Sequence, residues 1–269
     1  KDMPYGVYTV HQTAGWEGRE LMKDFDVFIA QDGQTYRYLI NNANFESYIK
    51  VVKVDAESGK NIPYAGAGFK IFDPNGNQVT MTFTYPTPTT IDTFYTDANG
   101  QLVTPEKLEY GKGYSLVEVQ APYGYVIDRN PVSFDITADT ATEDGGITVV
   151  VIEVENKPIR GSVKVTKVDE DTPEIKLSGA IFELYVDVEG NKEFNPEKDI
   201  PIGELKEDEV GVYIMNDLRY NGYFIHEKSA PDGYIKDNDY HYFEITEDGM
   251  VIKLEITNER IPEPETPNP

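Results

Sequence analysis

The chain is dominated by an internal repeat of three short phrases that recur in a fixed order. The phrase "YSLVEVQAPYGY" at 114–125 recurs as "YFIHEKSAPDGY" at 223–234 and, more faintly, as "YTVHQTAGWEGR" at 8–19. A Lys-Val-Asp phrase precedes each of the two clear copies, and a phrase that ends on Asn closes all three. Eleven positions separate Asn42 from Lys53, and eleven separate Asn156 from Lys167. Identical junctions indicate tandem domains that are joined in the same way.

The repeat divides the 269 residues into two complete domains and part of a third. We predict complete domains at 47–158 and 159–260, and the C-terminal half of a further domain at 1–46. Because the sequence begins in mid-pattern, we expect it to be a piece of a longer protein. Residues 261–269 alternate Pro with polar residues, which predicts an extended Pro-rich linker.

Within each repeat, short runs of Val, Ile, Thr, Tyr and Phe alternate with Gly, Asn, Asp and Pro, as in "DPNGNQ", "TDANGQ" and "TEDGG". This alternation is typical of strands joined by tight turns. The sequence contains no long amphipathic helical pattern, and no apolar run approaches the roughly 20 residues that span a bilayer. The pattern predicts an all-β fold of tandem β-sandwiches, without membrane insertion in this segment.

Composition excludes several kinds of partner and site. The chain carries 48 acidic and 24 basic residues, a net charge of -24, so nucleic acid and anionic lipid would repel it. It has no cysteine, which rules out disulfides and thiolate metal sites.

The three histidines, His11, His226 and His241, lack the spacing of a metal site or a catalytic triad. The stretch "DVEGNKEF" from Asp187 lacks the spaced ligands of a calcium loop and predicts a turn. We expect no metal and no cofactor.

Each complete domain places three polar residues in phase with its apolar, core-facing positions, since residues two apart in a strand share a face. They are Lys53, Glu118 and Asn156 in one domain, and Lys167, Glu227 and Asn258 in the next. A buried lone charge costs several kcal/mol. Such residues therefore either lie at strand ends, where charges reach water, or satisfy one another. One residue alone would fit a strand end, but the same three types in the same order and phase in two domains favour a meeting.

A trio of this kind has a specific chemistry. Burial lowers the pKa of a lysine and raises that of a glutamic acid, so the amine can be neutral and the acid protonated. A neutral amine held against an Asn carboxamide can attack its carbonyl carbon while the Glu transfers protons, and the amide nitrogen leaves as ammonia. The product is a Lys–Asn isopeptide bond. The chain would not be an enzyme, because this autocatalytic reaction occurs once and its substrate is the domain itself.

The Lys-Val-Asp phrase, the Glu-x-x-Ala-Pro-x-Gly-Tyr phrase and the closing Asn together resemble the CnaB-type, prealbumin-like (SpaA-type pilin) domains of Gram-positive surface adhesins and pilins. The resemblance implies an immunoglobulin-like β-sandwich with an isopeptide bond between its first and last strands. It implies the bonds Lys53–Asn156, with Glu118 as proton shuttle, and Lys167–Asn258, with Glu227. The nearby Lys50 and Lys164 fall on the opposite strand face.

The first segment departs from the pattern where the chemistry lies. Gln12 takes the Glu position, Gly15 and Trp16 replace the Ala-Pro pair, and Arg19 replaces the Tyr, while Asn42 is retained. A Gln amide cannot shuttle protons, and the sequence shown has no upstream Lys strand. We therefore predict a degenerate site without an isopeptide bond. Its missing half is explained either by truncation or by acceptance of a strand from another chain.

These observations predict a structural stalk or shaft segment of an adhesin or pilus protein, extracellular and anchored to the cell wall. Its partners would be neighbouring domains or pilus subunits. One alternative is that the domains bind a host protein or glycan, with the Thr- and aromatic-rich loop at 80–94 as the contact; the other reading of this loop is an ordinary exposed hairpin. Another alternative is an accessory module of an enzyme.

Overall fold

A computed structural model describes residues 3–84 and 86–263 of the chain. Every helix or strand assigned in these ranges is a β-strand, which confirms the predicted all-β fold. Because no helix occurs there, the described residues also contain no helical segment able to cross a bilayer. The predicted linker lies outside the described residues from position 264 onward.

The chain forms two compact units. Unit 1 comprises Lys1–Tyr123 and Ile127–Asn156, and unit 2 comprises Gly124–Val126 and Lys157–Pro269. The segment predicted as a partial domain, residues 1–46, belongs to unit 1.

Unit 1 contains a two-sheet sandwich and two small hairpins. Its strands are β1 (Gly6–Val10), β2 (Phe25–Ile29), β3 (Glu46–Asp55), β4 (Gly68–Phe72), β5 (Met81–Phe83), β6 (Thr89–Ile91), β7 (Phe94–Tyr95), β8 (Gln101–Val103), β9 (Leu108–Glu109), β10 (Gly111–Gln120), β11 (Val132–Ile136), β12 (Ala141–Asp144) and β13 (Ile147–Asn156). One sheet has the order β11-β10-β4-β7, and the other has the order β12-β13-β3-β8 with β9 also paired to β3. Strands β1 and β2 pair in the first segment, and β5 and β6 pair within the 80–94 loop, where Tyr85 lies outside the described residues.

Unit 2 repeats the sandwich with fewer strands. Its strands are β14 (Arg160–Asp169), β15 (Ile181–Val186), β16 (Ile200–Glu204), β17 (Lys206–Glu209), β18 (Val212–Arg219), β19 (Asn221–Ser229), β20 (Tyr240–Ile245) and β21 (Met250–Asn258). They form one sheet of order β17-β18-β14-β21 and a second of order β16-β15-β19-β20.

The first and last strands of each sandwich run parallel and side by side. In unit 1, β3 pairs with β13 so that Lys53 lies opposite Val154 and Asp55 opposite Asn156. In unit 2, β14 pairs with β21 so that Lys167 lies opposite Ile256. Each Lys and its Asn therefore share one sheet and one face, and the Asn lies two positions after the residue that is opposite the Lys.

Each core lies between the two sheets and is built from the alternating apolar residues. Ile49 and Val51 of β3 are completely buried, as are Val163 and Val165 of β14. They pack against residues of the facing sheet such as Ile71 and Leu184. The facing sheet also contains β10 in unit 1 and β19 in unit 2. The Glu-bearing strand of each repeat thus lies across the core from the strands that carry the Lys and the Asn.

Candidate crosslink sites

In unit 1 the fold brings the three sequence-predicted polar residues together inside the sandwich. Lys53, Glu118 and Asn156 are 0%, 2% and 1% exposed. The Lys53 Nζ lies 3.1 Å from Glu118 Oε1, and the Asn156 Nδ2 donates to Glu118 Oε2 at 2.7 Å. A single carboxyl group therefore bridges the amine and the carboxamide.

Unit 2 contains the same arrangement. The Lys167 Nζ lies 3.1 Å from Glu227 Oε1, and the Asn258 Nδ2 donates to Glu227 Oε2 at 2.9 Å. The Asn258 amide also donates to the Ile235 carbonyl at 2.8 Å, which fixes its orientation. Among the described residues, no donor reaches the buried Asn258 Oδ1. The carbonyl of this amide is thus left without the hydrogen bond that a buried acceptor normally has.

The carboxyl group of each site is also held by the backbone. The N–H of Asp128 donates to Glu118 Oε2 at 2.9 Å, and the N–H of Asp237 donates to Glu227 Oε2 at 2.7 Å. In both units the donor lies ten positions after the Glu. The segment that follows the Ala-Pro-x-Gly-Tyr phrase therefore returns to the Glu and fixes its orientation.

A phenylalanine packs against each lysine, and we did not predict it from the sequence. Phe69 lies opposite Glu118 across β4 and β10, and Phe182 lies opposite Glu227 across β15 and β19. The Nζ of Lys53 lies 5.4 Å from the Phe69 ring centroid, and that of Lys167 lies 5.6 Å from the Phe182 centroid. Both rings are 0% exposed, so each amine faces a fully buried aromatic ring. The signal was present as a shared Ala-x-Phe in "GAGFKIF" and "SGAIFELY".

Burial dominates the electrostatics of the two lysines. It lowers the pKa of Lys53 below its ordinary value, although the adjacent Glu118 carboxylate acts in the opposite direction. Burial likewise lowers the pKa of Lys167 against the attraction of Glu227. Both sites therefore favour the neutral amine more than water does, and the neutral amine is the nucleophilic form.

The Asp of the Lys-Val-Asp phrase and the Tyr of the Ala-Pro-x-Gly-Tyr phrase meet in unit 2, a contact that we did not predict from the sequence. The buried Asp169 of the Lys-Val-Asp phrase accepts a hydrogen bond from the Tyr234 hydroxyl at 2.8 Å. It also pairs with the Arg260 Nε at 2.5 Å, and this neighbour holds its pKa below the usual range. These contacts connect the end of β14 to the turn after β19 and to the chain after β21.

The first segment has the same framework with a different side chain at its centre. The Asn42 Nδ2 donates to Gln12 Oε1 at 2.9 Å and to the Glu20 carbonyl at 2.6 Å. The N–H of Met22, ten positions after Gln12, also donates to Gln12 Oε1, at 2.9 Å. Gln12 and Asn42 thus occupy the positions that Glu227 and Asn258 occupy in unit 2. Neither is buried as the complete sites are.

The neighbouring lysines have other contacts. Lys50 lies on the opposite face of β3 from Lys53 and pairs with Asp144 at 2.6 Å. Lys164 lies on the opposite face of β14 and is half-buried. The "DVEGNKEF" stretch forms a loop in which Asp187 accepts the N–H groups of Gly190 and Lys192 at 2.8 and 3.0 Å.

A small cavity adjoins each complete site. In unit 1 a cavity of about 280 Å³ is lined by Phe69, Glu118 and Asp128, among others. In unit 2 a cavity of about 360 Å³ is lined by Asn258, Asp237 and His241, among others. One residue of each site lines its cavity, Glu118 in unit 1 and Asn258 in unit 2.

The comparison with family models identifies these domains. The family model described as "SpaA: Prealbumin-like fold domain" matches residues 47–149 and 161–260. The chain therefore belongs to the SpaA prealbumin-like fold domain family, which confirms the predicted family and sandwich fold. The boundaries predicted at residues 46, 158 and 260 stay predictions.

The comparison with solved structures gives several neighbours. The chain is similar to the Bacillus anthracis TIE protein, with 27% identity and a TM-score of 0.65 over 96% of this chain and 43% of that chain. It also matches a Streptococcal ancillary pilin with 22% identity and a TM-score of 0.34, over 97% of this chain and 77% of that one. A C-terminal fragment of the pilus adhesin SpaC from Lactobacillus rhamnosus GG matches with 13% identity and a TM-score of 0.44, over 82% and 100%. The chain spans less than half of the TIE protein. A comparison with curated proteins gives no match.

Proposed function

We propose that the chain is a load-bearing structural segment of a Gram-positive cell-surface or pilus protein, in which Lys53–Asn156 and Lys167–Asn258 become isopeptide bonds. The observation that supports this most strongly is the double occurrence of a buried Lys–Glu–Asn cluster with one carboxyl group between amine and amide. A buried charge pair with no further purpose is often no more stable than an apolar replacement. Two equivalent pairs therefore favour a chemical role.

The reaction follows from the contacts of the carboxyl group. The neutral lysine Nζ attacks the Asn Cγ, and the Nζ–Cγ bond forms as the Cγ–Nδ2 bond breaks. In its carboxylate form, the Glu takes the proton that the amine loses on the oxygen beside Nζ, which is Oε1 in both units. The acid returns a proton to Nδ2, to which its other oxygen is already hydrogen-bonded, and the nitrogen leaves as ammonia. One carboxyl group thereby transfers the proton between two fixed neighbours, and no cofactor takes part.

The location of the two bonds gives their mechanical effect. Each bond would connect the first strand of a sandwich to its last strand and enclose roughly 100 residues, a constraint worth about 4 to 5 kcal/mol by analogy with a disulfide. Tension that enters at β3 and leaves at β13 would pass through the covalent link. The same holds for β14 and β21. A domain of this kind resists extension without any cysteine.

We propose an extracellular, cell-wall-associated location, with neighbouring domains of the same protein or other pilus subunits as partners. This proposal depends on family membership, and the strongly acidic composition agrees with a solvated surface protein.

Single-molecule stretching of the full chain between terminal handles tests the mechanical role. We expect neither sandwich to lengthen at forces that unfold ordinary β-sandwiches, because the residues between each Lys and Asn are bypassed. The matched control is the Glu118→Gln/Glu227→Gln double variant, which keeps the side-chain shape and should extend fully in two steps. Equal extension of the two chains would contradict the proposed role.

A further inference from the structure

The two candidate crosslink sites differ in the cavity beside them. The unit 1 cavity carries only acidic charges, those of Glu118, Asp128, Glu153 and Glu155. The unit 2 cavity carries two basic side chains as well, those of Lys236 and His241. This difference adjoins the atoms that would react, so it can distinguish two otherwise equivalent sites.

His241 of unit 2 occupies the position that a valine occupies in unit 1. On β20, His241 lies opposite Ile225 and Phe243 lies opposite Tyr223. On β11, Val132 lies opposite Leu116, and Phe134 lies opposite the tyrosine that corresponds to Tyr223. His241 and Val132 therefore occupy the same position relative to their Glu-bearing strands, and each lines its own cavity.

His241 contacts the residue that holds the Glu227 carboxyl group. Its Nε2 lies 2.6 Å from Asp237 Oδ2, and the backbone N–H of Asp237 donates to Glu227 Oε2 at 2.7 Å. Asp239 holds the other Asp237 oxygen through its N–H at 2.9 Å. In unit 1 the corresponding carboxylate of Asp128 is held by the backbone and side chain of Asn130 instead, both neutral.

The negative charge of the Asp237 carboxylate affects the protonation of Lys167. Burial acts to raise the pKa of Asp237, but the hydrogen bonds from Asp239 and His241, with the positive charges of His241 and Lys167, outweigh burial and hold this pKa below its usual value. The same negative charge favours the protonated form of Lys167. A positive charge on His241 would offset it.

We propose that His241 is a positioning residue for crosslinking in unit 2: it orients Asp237 and offsets its charge, so that Lys167–Asn258 bond formation depends on pH through this imidazole. The inference rests on the proposed function. Histidine is the side chain that ordinarily changes its charge between about pH 5 and pH 8. When His241 is neutral, the uncompensated Asp237 charge makes the neutral amine of Lys167 scarcer. Unit 1 has Val132 at this position and lacks the effect.

The other charges around His241 do not replace it. Those lining its cavity are Glu170, Lys236, Asp237, Asp239, Glu255 and Glu259. Lys236 is the other base, and its Nζ lies 3.1 Å from the ring of His226 on the other face of β19. The surroundings are therefore acidic, and His241 is the base that contacts Asp237.

The experiment measures the two bonds separately in one chain. The chain is purified in urea from inclusion bodies, and the fraction with the full, unmodified mass, in which neither bond has formed, is kept. It is then refolded at several pH values between about pH 5 and pH 8. Loss of ammonia in each unit is followed over time by proteolysis and mass spectrometry. Unit 1 serves as the internal reference. We expect the unit 2 to unit 1 rate ratio to fall about three- to tenfold as pH rises, since one pKa unit changes the amine fraction tenfold.

Three variants separate positioning from folding. His241→Val, which installs the unit 1 residue, should make the rate ratio independent of pH and low throughout. Adding Asp237→Asn should restore the rate, because it removes the charge that His241 offsets, whereas a folding defect would persist. Val132→His should give unit 1 a response of the same sign.

If both bonds form but the rate ratio of the unchanged chain does not vary with pH, the inference is overturned. It is also overturned if His241→Val leaves the rate ratio unaltered. If neither bond forms in the unchanged chain, the proposed function itself fails.

Discussion

The complete sites and the first segment share one hydrogen-bonding framework but differ in what stands at its centre. In unit 2 and in the first segment, the closing Asn donates both to the central side chain and to the carbonyl eight positions after it. In all three copies the backbone N–H ten positions after the central residue donates back to it. The central residue is Glu118 or Glu227 in the complete sites and Gln12 in the first segment.

This comparison separates what the fold supplies from what the chemistry requires. The fold places an Asn amide against a fixed side-chain oxygen whether or not a reaction can follow. Reaction needs two further things, a carboxyl group that can transfer a proton and a buried amine beside it. Among the described residues, the complete sites have both, and Gln12 has neither a transferable proton nor a lysine within hydrogen-bonding distance.

Replacing the central Glu by Gln should have the largest effect, because it gives a complete site the central side chain of the first segment while the buried lysine stays in place. We expect Glu118→Gln and Glu227→Gln each to retain one ammonia and to lose about 4 to 5 kcal/mol of stability with the crosslink. The unpaired buried lysine should add to that loss. Intact mass and urea denaturation measure both. Lys50→Gln and Lys164→Gln are the controls and should leave the mass deficit unchanged. A Glu118→Gln or Glu227→Gln chain that still loses both ammonia molecules would refute the role of the carboxyl group.

A second prediction concerns the Tyr four positions before each central residue. The Tyr223 hydroxyl donates to the Arg219 carbonyl at 2.6 Å, and the Tyr8 hydroxyl donates to the Pro4 carbonyl at 2.9 Å, so the contact is shared. Burial raises the pKa of Tyr223 from 10.0 to about 12. A group whose pKa is raised on folding stabilises the folded state fully at pH values below its pKa in the unfolded chain. For Tyr223 this stabilisation is present up to about pH 10 and is lost as the pH rises toward 12.

We therefore expect Tyr223→Phe to flatten the alkaline decline of unit 2 stability by up to about 2 kcal/mol. Its hydrogen bond is lost at every pH, at a cost of about 1 kcal/mol. Denaturation curves at a series of alkaline pH values measure the change. Tyr8→Phe is the matched control, because Tyr8 is only half-buried, and it should not alter the slope. Equal slopes for the Tyr223 variant and the unchanged chain would be evidence against a buried, neutral phenol.

The phenylalanines beside the lysines should have a smaller effect. Phe69→Leu and Phe182→Leu keep an apolar side chain but remove the aromatic face, and we expect about 1 kcal/mol of destabilisation. Crosslinking in the altered unit should slow, because water gains access to the amine. Refolding followed by mass spectrometry measures the rate. Phe134→Leu and Phe243→Leu alter the same cores away from the lysines; if they slow the reaction equally, the aromatic face has no specific role.

The smallest expected effect is that of restoring a carboxyl group to the first segment. Gln12→Glu should cause no loss of ammonia beyond the two expected of the unchanged chain, because no lysine lies beside this position in the described residues. Intact mass of the purified chain decides the outcome. Loss of an additional ammonia in the variant would mean that a lysine from elsewhere reaches Asn42.

The sequence predicted much of this arrangement, because strand alternation determines which side chains share a face. The alternating residues around Lys53, Glu118 and Asn156 were sufficient to predict that all three point inward. They could not show that the Lys and Asn strands are parallel neighbours while the Glu strand faces them, since pairing across a sandwich joins residues far apart in the chain. The contacts of Phe69 with Lys53, and of His241 with Asp237, were missed for the same reason.

The most direct test of the central claim is the intact mass of the unchanged, folded chain, followed by tandem mass spectrometry of its proteolytic fragments. The proposed chemistry predicts a mass lower than that of the sequence by two ammonia molecules, with fragments that join Lys53 to Asn156 and Lys167 to Asn258. A folded chain with the full, unmodified mass would contradict it.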